Sequence, residues 1–287
     1  MTKTGTGLDD RAGGLALRAA RAGAAAIAAV VAAGGVRTDF KSGGHDLVTT
    51  ADKAAEAAVI EVIRAARPDD AILGEEGGAH AGTSGTRWLV DPLDGTANFV
   101  YGRADHAVSV GVETDGVITA GTIIRVSDGR WAAASGGTAS AGSAAGPTYQ
   151  SSAKMVQPSV NQGVPAAQAL VSFGLPYDLG ARQQVFGIIG ALIPQIRGVR
   201  IAGSAACDFL ALAHGECDAF VGCGLAAWDT AAGQAIVSAS GGTITVIPGP
   251  GFDILIAASP SLAHELAELI AVAYAPRWTS RSPNAPA

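Results

Sequence analysis

Residues 88 to 98 (W-L-V-D-P-L-D-G-T-A-N) constrain this chain more than any other stretch. The first three are apolar and typical of a buried strand, and the carboxylates of Asp91 and Asp94 follow directly. Pro92 fixes φ between the two acids, and Gly95 gives the backbone freedom just after them. The pattern therefore predicts a turn at the end of a strand that holds two carboxylates close together.

The residues after this turn predict an anion site. Gly95, Thr96 and Asn98 are typical of the opening of a helix or turn, where unpaired backbone N–H groups attract an anion. Two carboxylates beside an anion require a cation between them, and Mg²⁺ bridging carboxylates and a phosphate satisfies that requirement. Taken alone, the D-x-x-D spacing is also typical of a surface turn with two solvated aspartates.

Four further acids stand at predicted strand ends and helix starts. Asp52 lies in the first turn of a helix predicted for residues 51–66, where a favourable interaction with the helix dipole would also explain it. Glu75 and Glu76 lie between glycines after a short apolar strand, a setting equally typical of a solvated loop. Asp229 opens a helix of small apolar residues, where an N-cap is the alternative. If all these side chains converge, their repulsion must be offset by cations.

The bulk composition limits the class of protein. The chain has 287 residues, enough for one large domain or two moderate ones, and its net charge of −6 argues against a broad nucleic-acid surface. Its 3 cysteines fit no zinc spacing and are expected to be free thiols in a reducing cytoplasm. The N-terminus carries Asp9 and Asp10 instead of a basic leader. The apolar run 22–36 is shorter than the ~20 residues that span a bilayer, so no membrane partner is expected.

Two halves with different patterns are predicted. Residues 1–150 combine helices, the first over 8–36, with strands that meander through Asp-Gly turns, which indicates an α+β domain carrying most of the acids. Residues 151–275 alternate strands and helices, which indicates an α/β domain. The small residues of 135–153 are interpreted as loop and weak strand near the domain boundary. The Pro- and Ser-containing residues 276–287 are expected to form a disordered tail.

The order of four motif blocks resembles one known family. The blocks are D-L-V-T-T-A-D at 46–52, G-E-E at 74–76, D-P-L-D-G-T at 91–96, and W-D at 228–229 leading to G-G at 241–242. In this order they resemble the inositol monophosphatase family, the magnesium-dependent, lithium-sensitive phosphatases related to fructose-1,6-bisphosphatase. The resemblance extends from about residue 10 to about residue 275.

The resemblance implies a fold and a reaction. The fold would be a layered α-β-α-β-α sandwich, usually assembled as a homodimer. The enzyme would be a phosphoric monoester hydrolase that acts on a small-molecule phosphate monoester. It would use two or three Mg²⁺ ions per site, with Mn²⁺ as a substitute and Li⁺ as an inhibitor.

The same resemblance implies roles for the metal ligands. One Mg²⁺ would be held by Glu75, Asp91 and the carbonyl of Leu93. A second would be held by Asp91, Asp94 and Asp229, and Glu75 would share in a third, more weakly bound ion. Such a metal-activated water needs neither a histidine nor a covalent nucleophile.

Catalytic roles are implied for neighbouring residues. Thr96, hydrogen-bonded to Asp52, would orient the attacking water, with Glu75 or Glu76 assisting. The backbone N–H groups of Gly95 and Thr96 would receive the phosphate.

Departures from the family pattern bear on the substrate. The block 203–206 matches the family segment whose backbone lines the substrate, which makes Ser204 and Ala205 substrate-binding candidates. Gly222, a further candidate, stands where inositol-specific members carry a glutamate that contacts the sugar hydroxyls. Because glycine offers no acceptor, we expect myo-inositol 1-phosphate to be a poor substrate. We also expect free volume near Gly222 and Cys223 to admit a bulkier leaving group, such as a nucleoside or an imidazole alcohol. Further pocket candidates, each also explicable as a structural residue, are Tyr101, Arg103 and Asp208.

The leading hypothesis is a Mg²⁺-dependent phosphomonoesterase for a small polyol, sugar or related phosphate. Within this class, histidinol phosphate and a nucleotide or specialised-metabolite phosphate are the alternatives. A non-catalytic binding module on the same fold is the alternative from another class. The complete set of acidic ligands argues against that module, because a pure sugar-binding protein has no need of these carboxylates.

Overall fold

A computed structural model gives the fold of residues 12–41, 47–77, 79–145, 149–151, 155–176 and 178–278. The described residues form seven helices and fifteen strands, apart from two short 3₁₀ turns. The helices are α1 (Ala12–Ala32), α2 (Thr50–Ala66), α3 (Thr96–Val100), α4 (Leu179–Leu192), α5 (Ala205–Ala213), α6 (Ala227–Ala239) and α7 (Pro260–Trp278). The first nine strands are β1 (Thr38–Phe40), β2 (Leu47–Thr49), β3 (Ala71–Gly74), β4 (Ala79–His80), β5 (Thr86–Asp94), β6 (Ala107–Thr114), β7 (Val117–Arg125), β8 (Arg130–Ser135) and β9 (Thr138–Ala145). The other six are β10 (Gln150–Ser151), β11 (Leu170–Gly174), β12 (Gly198–Arg200), β13 (Ala219–Cys223), β14 (Thr243–Pro248) and β15 (Asp253–Ala258).

Besides the antiparallel pair of β1 and β2, the described residues form two larger sheets, which alternate with three helical layers. The first has the order β10-β9-β8-β7-β6-β5-β3-β4 and is antiparallel except where β3 runs parallel to β5. The second has the order β12-β11-β13-β15-β14, with the first three strands parallel. Helices α1 and α2 cover the outer face of the first sheet, α5 and α6 lie between the sheets, and α4 and α7 cover the second sheet. This confirms the predicted α-β-α-β-α sandwich.

The close packing of α6 on the first sheet depends on two glycines. A Cβ at Gly111 of β6 would lie 2.5 Å from Ala231 Cβ, and one at Gly121 of β7 would lie 2.5 Å from Ala232 Cα. Because any side chain there would push the helix away, the small residues on both elements bring the start of α6 close to β5. This contact places Asp229 beside the acids of the first half.

The first helix corrects one expectation. Helix α1 has 21 residues and is long and apolar enough to span a membrane by length and composition, so the prediction that its apolar run is too short is wrong. Its face of small residues is nevertheless buried in the first core, and Ala16, Ala20 and Ala24 are fully inaccessible. The pattern is that of a helix packed on its neighbours by one face.

Several predicted boundaries also change. The interpretation of 135–153 as loop and weak strand is wrong for its first part, because β9 forms an eight-residue antiparallel strand beside β8. Its small side chains fit there because Ala139 and Ala141 are buried beneath the α5–α6 layer. Helix α7 reaches Trp278, three residues into the segment 276–287 expected as a tail, and residues 279–287 lie outside the described part. Asp46, which opens the first motif block, also lies outside it.

Candidate active site

The turn predicted at the end of β5 has a specific backbone geometry. The pairing of β5 with β6 shifts register between Asp91 and Asp94, and Leu93 N donates to Asp91 Oδ1 at 3.1 Å. Gly95 follows with φ of 85°, and a Cβ there would lie 2.7 Å from the carbonyl oxygen of Asp105. Glycine is therefore required for both conformation and space. The bulge turns the two carboxylates toward one cavity.

Four acids from three elements line this cavity of about 220 Å³. Glu75 follows β3, and its N–H donates to the carbonyl of Val90 at 3.1 Å, which places it beside Asp91. Asp229 comes from the first turn of α6, where its Oδ2 accepts the N–H of Ala226 at 2.7 Å. The lining acids are Glu75, Asp91, Asp94 and Asp229.

Burial and mutual repulsion raise the pKa values of the three aspartates among these acids. For Asp91, burial and then the charges of Glu75, Asp94 and Asp229 hold the pKa well above its usual range. Burial raises the pKa of Asp94 to about 6, although hydrogen bonds from Ala206 and Ser204 oppose the shift. Burial, followed by the charge of Asp94, raises the pKa of Asp229 to about 8. These acids would ionise together more readily with a cation among them.

The donor set fits a hard divalent cation. Every lining acid offers carboxylate oxygens, the ligands that Mg²⁺ and Ca²⁺ take in proteins, and Leu93 also lines the cavity. In the ranges that the structure describes, no three His, Cys, Asp or Glu side chains already form a closed metal-binding group.

The side chain of Lys41 forms ion pairs with two glutamates at this site, Glu75 and Glu76. The Lys41 ammonium lies 2.9 Å from Glu75 Oε1 and 2.6 Å from Glu76 Oε1. Burial alone would lower the pKa of Lys41, but the two carboxylates outweigh burial and raise that pKa. Burial raises the pKa of Glu76 to about 7, although Lys41 opposes the shift. Lys41 has no local signal in the sequence, because it lies 34 residues before Glu75.

Asp52 joins the start of α2 to the turn after β5. Its Oδ2 accepts from the N–H of Thr49 at 2.8 Å and from its hydroxyl at 2.6 Å, which completes a capping box. Its Oδ1 accepts the Thr96 hydroxyl at 2.9 Å. The predicted Thr96–Asp52 bond is therefore present, and Asp52 is also a capping residue. Because Thr49 makes the capping bonds, α2 begins at Thr50, one residue before the start predicted at 51.

The N-terminus of α5 is fastened to the same turn. Ser204 caps α5 by accepting the N–H of Cys207 at 3.2 Å, and its hydroxyl donates to Asp94 Oδ2 at 2.8 Å. The N–H of Ala206 donates to the same carboxylate oxygen. Two of the substrate-binding candidates, Ser204 and Ala205, line the cavity.

Two side chains position this site through hydrogen bonds that the sequence does not predict. Asn98 Nδ2 donates to the carbonyls of Asp105 at 2.7 Å and Ala202 at 2.8 Å, which links the turn after β5 to the loop before α5. Glu56 Oε2 accepts the N–H of Glu76 at 2.9 Å. Its spacing of four residues from Asp52, on one face of α2, was the signal available for Glu56.

The free volume expected near Gly222 and Cys223 is absent, and that expectation is wrong. A Cβ at Gly222 would lie 2.8 Å from Leu225 Cδ1 and 3.1 Å from a ring carbon of Phe220. Cys223 is fully buried in the core of the second sheet. Leu225 and Phe220 thus occupy the space that a side chain at position 222 would need, and Leu225 lines the cavity.

Three other pocket candidates also lie elsewhere. Tyr101 is 81% exposed, Arg103 is exposed, and Asp208 is buried against Ser172. None of the three is among the residues that line the acid-rich cavity in the described part of the chain.

Comparison with known proteins agrees with this geometry. The Inositol monophosphatase family profile matches residues 12–276. An inositol-1-monophosphatase of Mycobacterium leprae is 35% identical over 245 residues, covering 82% of this chain and 81% of that protein. The Nus factor SuhB of Salmonella typhimurium is 31% identical over 211 residues, covering 73% and 75%. The crystal structure of the extragenic suppressor protein suhB from Bartonella henselae has a TM-score of 0.76 at 26% identity, covering 90% and 97%.

Proposed function

Because this chain belongs to the inositol monophosphatase family and is a phosphoric monoester hydrolase, we propose that it hydrolyses a small polyol, sugar or related phosphate monoester with Mg²⁺ and water. The observation that carries the proposal is the set of four acids, from both halves of the chain, that line one cavity. The raised pKa values of Asp91 and Asp229 are expected of carboxylates gathered to share cations.

The metal-ligand roles follow the family resemblance. Glu75, Asp91 and the Leu93 carbonyl would hold one Mg²⁺, Asp91, Asp94 and Asp229 a second, and Glu75 would share in a third. When bound, the metal supplies an acidified water and charge stabilisation for the leaving alkoxide. Asp91 belongs to both main sites, in keeping with its place among the other three acids.

The Thr96 hydroxyl is proposed to orient the attacking water. It has one proton and two acceptors, Asp52 Oδ1 at 2.9 Å and the carbonyl of Leu93 at 3.0 Å. If the Leu93 carbonyl serves as a metal ligand, the proton goes to Asp52. The Thr96 oxygen then accepts a hydrogen bond from water, and Asp52 can receive a proton through the hydroxyl. Glu75 or Glu76 would assist from the Lys41 side of the site.

The phosphate is proposed to lie against the turn after β5. Gly95 and Ala97 line the cavity, and the N–H groups of Gly95 and Thr96 would receive phosphate oxygens. The resemblance further supports a cytoplasmic homodimer, with Mn²⁺ as a substitute metal and Li⁺ as an inhibitor. The complete acid set favours catalysis over a non-catalytic binding module.

A phosphate-release screen tests the proposal. Purified protein is incubated with inositol, sugar, nucleotide and histidinol phosphates, with Mg²⁺ and with excess chelator. We expect Mg²⁺-dependent release from at least one ester. Release from none of them, or full release in chelator, would contradict the assigned chemistry.

A further inference from the structure

One cation lines the acid-rich cavity among the residues that the structure describes. Arg182, on α4, shares this cavity with the four acids and with Ser204. Lys41 lines an adjoining cavity of about 350 Å³, which meets the first at Glu75, Leu175, Leu225 and Asp229. Arg182 has no place in the metal or water chemistry proposed above, so its charge needs another explanation.

A hydrogen bond holds the Arg182 guanidinium in place, but no carboxylate among the described residues neutralises its charge. Its Nε donates to the carbonyl of Pro176 at 2.7 Å, which fixes the side chain at the cavity edge. Within the described ranges, no carboxylate forms an ion pair with it, and its two terminal nitrogens make no hydrogen bond. A half-buried arginine held by Nε alone presents two donors in a fixed fork, suited to a planar or tetrahedral anion.

Apart from the four acids and Ser204, the rest of the wall offers few polar groups to a polyol. Leu175, Ile201 and Leu225 contribute hydrocarbon to the same cavity. Position 222 has no acceptor, and its space is filled by packing. A ring of hydroxyls bound here would lose hydrogen bonds to water without replacing them, which weakens binding. A short carbon chain that ends in an anion would meet both the apolar side chains and the arginine.

We propose that Arg182 is a specificity-determining residue that binds a second anionic group, a carboxylate or a second phosphate, on the alcohol half of the substrate. The inference rests on the proposed phosphomonoesterase activity. It defines the substrate class as short phosphate esters with few hydroxyls and a second negative charge. The cavity would favour this class over neutral polyol phosphates because it is lined by Arg182, Leu175, Ile201 and Leu225.

Matched esters test the inference with the whole protein and Mg²⁺. The probes are propyl phosphate, its analogue ending in a carboxylate, propane-1,3-diol bisphosphate and myo-inositol 1-phosphate. We expect kcat/KM for at least one of the two anionic esters to exceed that for propyl phosphate by about tenfold or more, as one charge-assisted hydrogen bond provides. The bisphosphate value is halved for its two equivalent esters. The carboxylate and bisphosphate arms decide which anion the site prefers.

Variants of Arg182 are compared by the ratio of the two kcat/KM values. Arg182→Gln should bring the ratio of anionic to neutral ester close to one, Arg182→Lys should retain part of the preference, and Arg182→Glu should invert it. Arg197→Gln, at an exposed arginine outside the cavity, is the matched control and should keep the wild-type ratio. If Arg182 only supports the Pro176 loop, both esters lose activity equally and the ratio stays constant.

The outcomes distinguish failure of the role proposed for Arg182 from failure of the proposed phosphomonoesterase activity. Equal hydrolysis of neutral and anionic esters by the wild type, or an unchanged ratio in both Arg182→Gln and Arg182→Lys, overturns the role of Arg182 and leaves the phosphomonoesterase intact. Absence of phosphate release from all four probes overturns this inference, and absence also from every ester of the screen described above overturns the proposed function. Circular dichroism and hydrolysis of propyl phosphate show whether each variant is folded.

Discussion

The hydroxyl of Ser204 donates to Asp94 Oδ2 at 2.8 Å, although 110 residues separate the two in the chain. The same oxygen of Ser204 accepts the N–H of Cys207, so one side chain caps α5 and holds a carboxylate of the first half in place. The bond also opposes the rise in the pKa of Asp94 that burial causes. Ser204 therefore couples the start of a helix to the charge state of the site.

Ser204→Ala should weaken both functions of this residue. Loss of the cap and of a hydrogen bond to a carboxylate should lower the free energy of unfolding by about 1–3 kcal/mol. The pKa of Asp94 should rise further, so Mg²⁺ should bind less tightly near pH 6 and recover toward pH 8. Calorimetric Mg²⁺ titration at both pH values checks this, with Ser238→Ala, at an exposed serine of α6, as the control. Equal affinity loss at both pH values would refute the pKa explanation.

Asp91→Asn should have opposite effects on activity and on stability. Asparagine keeps the shape but removes the charge proposed to serve two metals, so turnover should be abolished. The same change removes repulsion among Asp91, Glu75, Asp94 and Asp229, so the metal-free variant should melt at a higher temperature than the wild type. Thermal melts in chelator and phosphate-release rates check the two signs, with Asp69→Asn as the exposed control. Full turnover by the variant would remove Asp91 from the metal site.

Thr96→Ala should separate metal binding from turnover. The variant lacks the hydroxyl that donates to Asp52, so turnover should fall by about 10²-fold if this pair handles a proton. Mg²⁺ affinity should change little, and Thr96→Ser should restore most of the rate. Steady-state kinetics beside calorimetry provides the test, and Thr138→Ala, at an exposed threonine, is the control. Unchanged turnover would show that the pair is only structural.

Lys41→Met should tighten Mg²⁺ binding and destabilise the metal-free protein. The Lys41 ammonium is a tethered cation that occupies Glu75 and Glu76, and an entering ion competes with it for these carboxylates. Without the ammonium, the Mg²⁺ concentration for half-maximal activity should fall several-fold, and the melting temperature in chelator should drop. Lys53→Met, at an exposed lysine of α2, should change neither value. A weaker Mg²⁺ response in Lys41→Met would instead indicate that the lysine helps to build the site.

Asp208 should make the protein less stable as pH rises. Burial raises the pKa of Asp208 to about 8, whereas its ordinary value is 3.8, and its Oδ2 has no partner among the described residues. Between these values the folded state keeps a proton that the unfolded state has released, so the free energy of unfolding falls as pH rises from about 4 to about 8. The slope from this group is at most about 1.4 kcal/mol per pH unit.

Asp208→Asn tests this sign directly. Asparagine resembles the protonated acid and does not titrate, so the variant should gain stability over the wild type as pH increases from 5 to about 7.5. Urea unfolding at both pH values measures the difference, and Asp253→Asn, at an exposed aspartate, is the control. A constant difference at the two pH values would contradict the buried, protonated state.

The acids could be found from sequence because each stands where a regular element begins or ends. Asp94 is the last residue of β5 with Asp91 three residues before it, and Asp229 lies in the first turn of α6, so local pattern alone marked them. The partners that hold these acids could not be found in this way. Lys41 reaches Glu75 across 34 residues and Ser204 reaches Asp94 across 110, and no local pattern encodes such distances.

The substrate wall shows a second limit of sequence reasoning. In the sequence alone, a glycine at position 222 indicates open space, because the sequence does not show which side chains surround it. In the fold, Leu225 and Phe220 occupy that space, and the wall is set by residues such as Arg182 that no motif marked. A smaller side chain leaves a cavity only where the neighbouring residues do not fill the space.

Hydrogen bonds from Ser204 and Asn98 connect the two halves of the chain. In a refolding experiment, the return of activity therefore reports that the halves have docked. Each half contributes one of the two larger sheets, yet neither half alone carries the whole set of acids. Far-ultraviolet circular dichroism would therefore recover as soon as the two sheets form. Phosphate release would recover only after the halves dock, so the delay between the two signals times that docking step.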